Sequence, residues 1–257
     1  MSYWISLWDT YARECHRLPR GFPSKFELTW RLHSQIATAR KRPVPGVLGV
    51  EVRRCNSPAL LDSAYRLRYR AYAADGSIQV RADGRFADRF DAQVGTQVFI
   101  ARTNGAEVGT IRVVQRRKGE PLERLECAKV YGSELLAAVG NDHCAEVNRF
   151  SIAPECQGFQ SSGIKLALLK AVLVALVHER PRFCLAAVRE DLERFYIQAL
   201  GMAPIGPRVP YPGLSFSTRL LASELDVALA NLDQRVPILA PKQEEVEEWT
   251  QRSCMYL

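Results

Sequence analysis

The sequence predicts an α+β fold built on one central mixed sheet. Three observations lead there. First, a β-rich run at Glu146–Ile152, a long helical run at Ser162–Glu179 and a second β-rich run at Phe183–Val188 form a strand–helix–strand unit. Such a unit requires a parallel pair or a split in the sheet. Second, β-rich runs at Gln97–Thr103 and Val108–Gln115 flank Asn104 and Gly105, a hairpin signal that requires antiparallel pairing. Third, 257 residues with 47% hydrophobic and 25% charged side chains are ample for a buried core and unlike a disordered chain.

The elements follow in chain order. Trp4, Leu7, Trp8, Tyr11 and Cys15 recur at helical spacing, so the N-terminus reads as an amphipathic helix. Ser24 and Glu27 form a capping box that opens a second helix toward Arg42, and Pro43 to Gly46 ends it as a linker. Glu51–Cys55 is a short strand. Ser57 and Pro58 then start a helix, Ser as N-cap and Pro at the first helical position. Leu61, Tyr65, Arg68 and Tyr72 share one face of it. Asp75–Phe86 is polar and reads as a loop. The hairpin follows, its turn expected to be loosened by Ala106 and Glu107. Leu122–Val139 reads as mostly helical. After the strand–helix–strand unit, Asp191–Leu200 is a helix expected to be N-capped by Asp191 and closed by Gly201. Leu214–Leu221 is a last strand, and Asp226–Leu232 and Glu244–Arg252 are short helices.

The chain carries 35 Lys and Arg against 28 Asp and Glu, a net charge of +7. The charge divides unevenly: +5 over residues 1–50, +6 over 51–221 and −4 over 222–257. This divides the chain into an N-terminal helical extension (1–46), a folded body (47–222) and an acidic C-terminal tail (223–257). A basic body favours anionic partners, though sign alone does not choose among nucleic acid, lipid, phosphorylated ligand and acidic protein. No stacked-aromatic or helix-turn-helix pattern accompanies the charge, which argues against nucleic acid. The seven Cys show no CxxC spacing, so no metal site is expected and most read as buried small hydrophobes of a reduced compartment. No signal peptide is visible, and the most apolar run, Ile164–Val177, is short for a membrane span and contains Lys165 and Lys170. A cytoplasmic location is the expectation.

No nucleophile elbow, HExxH, Walker A or GxGxxG occurs, and the four His form no ligand pair. The segment Glu146–Pro154 is more telling. Strand alternation puts Glu146, Asn148 and Phe150 on one face and Val147, Arg149 and Ser151 on the other. Glu and Arg on such a strand need partners or a polar cavity, although an ordinary charged edge strand fits this segment too. Pro154–Gly163 is a turn rich in Gly and Ser that enters the long helix. It exposes backbone amides at a positive dipole end, suited to a phosphate or a pantetheine carbonyl, and read alone it is also simply a capped helix.

Strand, amide turn, helix, strand and then Phe195, Tyr196, Leu200, Gly201 and Met202 together resemble the Gcn5-related N-acyltransferase superfamily. Other motifs narrow the resemblance. Arg68 and Tyr72 look like the Arg-x-x-x-aromatic signature of acyl-homoserine-lactone synthases. Asp88 and Asp91 match their Asp-x-x-Asp, Arg112 the following strand Arg, and Glu146, Arg149 and Phe150 their Glu-x-x-Arg-Phe. The four motifs run in the right order across Val52 to Leu221. Where autoinducer synthases carry Gly-Trp, this chain has Ala73 to Ile78, and it more closely resembles their relatives, the long-chain N-acyl amino acid synthases.

The resemblance implies an acyl-CoA N-acyltransferase-like fold with a mostly antiparallel central sheet flanked by helices. It implies that Ile152, Gln157, Gly158, Ser161, Ser162 and Gly163 bind a pantetheine arm and that Tyr196 protonates the departing thiolate. Glu146 becomes the base for an amine nucleophile. Arg68, Tyr72, Asp88, Asp91, Arg112, Arg149 and Phe150 become a site network, which either touches substrate or holds the N-terminal loop over the site. The turn at Gln157–Gly163 departs from the usual coenzyme A pyrophosphate pattern. An acyl carrier protein, whose acidic surface suits a basic chain, is therefore expected as donor alongside acyl-CoA, with no permanently bound cofactor. The leading expectation is an enzyme that moves a fatty acyl group to an amino acid. An acyl-homoserine-lactone synthase is the second reading, and a non-enzymatic basic adaptor for an acidic protein or membrane the third. Residues 1–42 either wall the acyl channel, lie peripherally on an anionic membrane or dimerise the protein.

Overall fold

A computed structural model describes residues 49–156 and 160–254. The N-terminal extension, Gln157 and Gly158 lie outside the described residues. The strands are β1 (Glu51–Arg54), β2 (Gln97–Thr103), β3 (Ala106–Arg116), β4 (Cys144–Ile152), β5 (Phe183–Val188), β6 (Ala203–Pro204), β7 (Val209–Pro210) and β8 (Ser217–Glu224). The helices are α1 (Pro58–Ala74), α2 (Ala128–Val139), α3 (Gln160–Glu179), α4 (Glu190–Leu200), α5 (Leu225–Arg235) and α6 (Gln243–Cys254). The sheet order is β1-β2-β3-β4-β5-β8-β6, with β7 also paired to β8. Among the described residues only β4 and β5 run parallel, and every other pairing is antiparallel.

Local chemistry explains most boundaries. Ser57 Oγ accepts from the Leu60 N–H at 3.3 Å and Pro58 sits in the first turn, so α1 starts where the sequence predicts. The hairpin turn is tighter than expected. Thr103 pairs with Ala106, so only Asn104 and Gly105 form the loop, both with positive φ (49° and 81°). That is the conformation in which a two-residue turn matches strand twist. Helix α4 begins one residue earlier than expected, with Arg189 in the cap position and no side-chain cap bond. Asp191 is therefore not the cap. It stands with Glu190 and Glu193 in the first turn, where carboxylates favour the positive dipole end. The last strand runs three residues later than expected, because 214–216 form a turn tied to the α1 loop.

Two apolar layers flank the sheet. On one face α3 lies against β2 and β3, with α4, α5 and α6 beside it, and buries Phe99, Ile111, Leu168 and Leu221. Gly109 permits this approach: a Cβ there would meet side-chain carbons of Ile164 and Leu168 at 2.9 Å. On the other face α1 and α2 cover Val98, Ile100, Val114 and Leu185. Ser161–Glu179 is long and apolar enough to span a membrane by length and composition, but two-thirds of that stretch is buried by the protein, as a core helix requires. The acidic C-terminal stretch packs on the body. The Lys170 ammonium donates to Ala240 O at 2.5 Å and pairs with Glu245 at 2.9 Å, and Trp249 meets Phe99 at 5.5 Å between ring centroids.

Two irregularities position the site. β4 and β5 pair only from Cys144/Phe183 to Glu146/Leu185 and part beyond. In the β3–β4 ladder, Thr110 faces Ser151 while Arg112 faces Asn148, so Arg149 and Phe150 together oppose Ile111. This is a β-bulge, and Arg149 takes φ of 55°, a left-handed conformation uncommon for a residue with a side chain.

Candidate active site

The bulge corrects the expected alternation along β4. One extra residue reverses the faces after Asn148, so Arg149 joins Glu146 and Asn148 on the α1 side. Phe150 turns the other way and packs with Val147 and Ile152 against the α3 core. Phe150 is therefore no part of the charged network. Ile152 likewise sends its side chain into the core beside Gly109.

The remaining network residues converge. Arg68, from α1, is fully buried and donates through Nη1 to Asp91 Oδ1 at 2.7 Å. Arg112, from β3, is also fully buried. It donates to Asp88 Oδ1 at 2.7 Å, to Glu126 Oε2 at 2.6 Å and to Asn148 Oδ1 at 2.8 Å. Arg149 donates to Asp88 Oδ2 at 2.7 Å and also to Glu126 Oε1. Asp88 and Asp91 close their own turn: Asp91 Oδ2 accepts the Asp88 N–H and Asp88 Oδ1 the Phe90 N–H, each at 2.9 Å. Tyr72 packs on Phe86 at 5.0 Å, and the Arg149 guanidinium lies 4.4 Å over the Phe86 ring. These partners hold the left-handed backbone of Arg149 in place.

Glu146 sits where β4 leaves β5 and is wholly buried. Its Oε1 accepts from Asn148 Nδ2 at 3.0 Å and its Oε2 from the Cys127 N–H at 3.1 Å. Asn148 Nδ2 also reaches Glu126 Oε2 at 3.2 Å, so one side-chain amide joins both carboxylates. Burial pushes the Glu126 carboxyl up, and Glu146 adds to this against the pull of Arg149 and Arg112. Burial also works upward on Asp88, but the pull and hydrogen bonds of Arg112 and Arg149 outweigh it and hold that carboxyl well below the usual range. Three guanidinium groups thus face four carboxylates, an excess of one negative charge when all are ionised.

The opposite face of β4 is apolar. A cavity of about 40 Å³ there is lined by Val147, Tyr196, Met202, Leu225, Ala228 and Leu239. Tyr196 belongs to this side and not to the Glu146 side. Burial, with Tyr72 adding, pushes its phenol up to about 12, so it stays protonated near neutrality. Ser161, Ser162 and Gly163 lie in the first turn of α3, at the positive end of its dipole. The exposed Arg70 ties α1 to the residues before that turn, donating to Glu155 at 2.9 Å. Lys165, half-buried one turn on, is pushed down to about 8 by burial against the pull of Asp191.

Sequence reasoning missed Glu126, Asn148, Phe86 and Tyr211. Tyr211 is 6% exposed in the turn before β8, and its phenol is pushed up by burial, then by Glu146 and Glu126. Its only sequence signal is an aromatic set between Pro210 and Pro212. Glu126 had none, because it lies in an irregular stretch between a 3-10 turn and α2. The loop after α1 is strapped to the same region: Asp75 pairs with Arg189 at 2.6 Å, and the Ser215 N–H donates to Ser77 O at 2.9 Å.

The arrangement can deprotonate an amine on one side of a parted strand pair and hold an alkyl chain on the other. Phenylalanine at Tyr196 is expected to lower kcat by less than about tenfold, since a phenol this reluctant to ionise donates a hydrogen bond more readily than a proton. A loss of about 10²-fold in steady-state turnover would make Tyr196 the proton source.

Comparison with known proteins agrees with this geometry. The family described as N-acyl amino acid synthase FeeM matches residues 63–224. The structure of FeeM, an N-acyl amino acid synthase from uncultured soil microbes, is similar with a TM-score of 0.59 at 19% identity, covering 71% of this chain and 94% of that one. The acyl-homoserine-lactone synthase LasI is similar with a TM-score of 0.52 at 19% identity, covering 71% and 93%. BjaI, a CoA-dependent acyl-homoserine lactone synthase, is similar with 0.52 at 17% identity, covering 76% and 92%. At these identities the structural likeness concerns the fold. No curated protein matches the chain in sequence.

Proposed function

Since the chain belongs to the FeeM family of N-acyl amino acid synthases and is an N-acyltransferase, we propose that it moves a fatty acyl group from a pantetheine thioester to the amine of an amino acid, with acyl carrier protein as the donor. The observation that carries this reading is the position of Glu146. A buried carboxylate stands where β4 and β5 part, with a charged network on one face and a dry apolar cavity on the other.

The donor thioester enters the gap between the parted strands. Its pantetheine arm runs past Ser161, Ser162 and Gly163 and its acyl chain enters the cavity. The acceptor approaches from the network face, where the excess negative charge favours an ammonium over a neutral group. The ammonium gives one proton to Glu146 and its nitrogen attacks the thioester carbonyl. Backbone N–H groups freed by the parting of β4 from β5 stabilise the oxyanion. The nitrogen's second proton goes to the departing thiolate, toward which Tyr196 donates a hydrogen bond.

Mass spectrometry of lipid extracts from an expressing bacterium tests the reading. A new N-acyl amino acid supports it. A lactone favours homoserine-lactone synthesis, and no new lipid in several hosts overturns both. The choice of donor is tested with the purified chain on matched acyl carrier protein and acyl-CoA substrates. Carrier-protein affinity is expected to fall steeply between about 0.1 M and about 1 M salt, where the screening length shrinks from about 10 Å to about 3 Å. Exposed Arg70 beside the amide turn is a better anchor for an acidic surface than the half-buried Lys165. Salt-independent binding would count against a carrier-protein donor.

A further inference from the structure

We propose that the C-terminal segment sets the length limit of the acyl chain, with Ala228 of α5 and Leu239 of the following 3-10 turn as the stop. This rests on the acyl-transfer reading above and adds its determinant of chain-length specificity.

The cavity has a direction. Its lining includes Val147, the residue after the last β4–β5 pair, and Leu225, Ala228 and Leu239 of the C-terminal segment. The Leu225 N–H bonds Arg182 O at 2.9 Å, just before β5 begins, so these residues stand at the end remote from the parting. Along one wall α3 contributes Leu169 through Leu176, a run of about 10 Å at about 1.5 Å per residue.

The space is a void with a purpose. A single water needs about 10–15 Å³, and the cavity offers about 40 Å³. Its lining is aliphatic and aromatic, so water placed there would lack hydrogen-bond partners. Protein interiors leave few such voids, because each one forfeits packing. An alkyl chain fits its chemistry, and a longer chain must push against the distal wall.

That wall lies outside the part of the chain that the family model matches. The family match ends at residue 224, before α5, the 3-10 turn and α6. It is also fixed in place. Ala228 and Leu239 are 3% and 1% exposed. The carbonyls on either side of Leu239, those of Ile238 and Ala240, both accept from the Lys170 ammonium, at 3.4 and 2.5 Å. A stop held this way yields little as the occupant lengthens.

Ala228→Leu fills the distal end and Leu239→Ala enlarges it. For each purified full-length variant, kcat/KM is measured across a graded series of acyl thioesters with one amine acceptor held fixed. Ala228→Leu should lower the ratio of long-chain to short-chain kcat/KM, and Leu239→Ala should raise it, each by about tenfold or more per methylene gained or lost. Displacement of a fluorescent apolar probe by free fatty acids of graded length reads the same limit without turnover. Opposite shifts in the two folded variants support the stop. An unchanged length preference in both assays overturns it. If the fatty acids show the shifts while the wild-type chain transfers no acyl group from any thioester, the stop stands and the acyl-transfer reading falls.

Discussion

Glu146→Gln is expected to leave a folded protein whose kcat and kcat/KM both fall about 10²-fold or more, the scale of a positioned general base. Both fall together because the proton is taken only on the way to the transition state. The geometry also sets what happens to the fold. Asn148 and the Cys127 N–H both donate to this carboxylate. A glutamine has one oxygen, so one donor is left facing an amide, at about 1–3 kcal/mol. Loss of a negative charge from a cluster already in excess works the other way. The variant should therefore melt a few degrees lower and remain cooperative. Raising the pH should restore part of its rate, since more of the amine then arrives unprotonated. Full activity at neutral pH would remove Glu146 from the mechanism. A variant that cannot fold would make it structural.

Arg112→Ala is expected to produce the largest loss of stability. Arg112 is completely buried and bridges Asp88, Asp91, Glu126 and Asn148. Breaking a buried ion pair by removing one partner typically costs about 3–5 kcal/mol, because the remaining charge stays desolvated. Against a total stability of about 5–15 kcal/mol, that leaves the protein marginal. The pH dependence carries the sign. Arg112 and Arg149 hold the Asp88 carboxyl below its ordinary value, so its stabilisation is fully present above the unfolded carboxylate range and is lost as pH falls from there through the lowered folded value. The variant has lost most of this benefit already. The gap between wild type and variant in urea unfolding should therefore be widest near neutrality and narrow toward acid. A gap independent of pH would mean that Arg112 contributes packing and not charge.

Much of the site was legible in the sequence because its parts are chemically conspicuous. Glu146 and Arg149 are charges on a strand that otherwise wants apolar residues, and such charges need partners, while Arg68, Asp88, Asp91 and Arg112 stood out through the resemblance to acyl-homoserine-lactone synthases. The structure supplies those partners from one another. What stayed hidden has a common cause. Glu126 and Tyr211 lie in irregular segments, where no periodicity assigns a side chain to a face. Their role exists only because the chain returns to the same place from β3, β4 and the turn before β8. The split between Glu146 and Tyr196, on opposite faces of the sheet, was equally invisible from spacing.

Sequence alone determined the longer elements and their order, but not the short strands β6 and β7, since capping residues, turn residues and hydrophobic periodicity act over a few residues. Ser57 with Pro58, Asn104 with Gly105, and Gly201 each mark a boundary that the structure keeps. Strict alternation along β4 failed at Arg149, where an extra residue enters the ladder and the backbone turns left-handed. A strand's period of two is a local rule, and it yields when distant partners outweigh it. Asp88, Glu126 and the Phe86 ring hold one guanidinium on the charged face, and that sends Phe150 into the core. The packing of the acidic C-terminal helices was likewise decided by long-range contacts. Composition reads Glu244, Glu245, Glu247 and Glu248 as part of an acidic tail, and only the fold brings Lys170 and Phe99 to meet it.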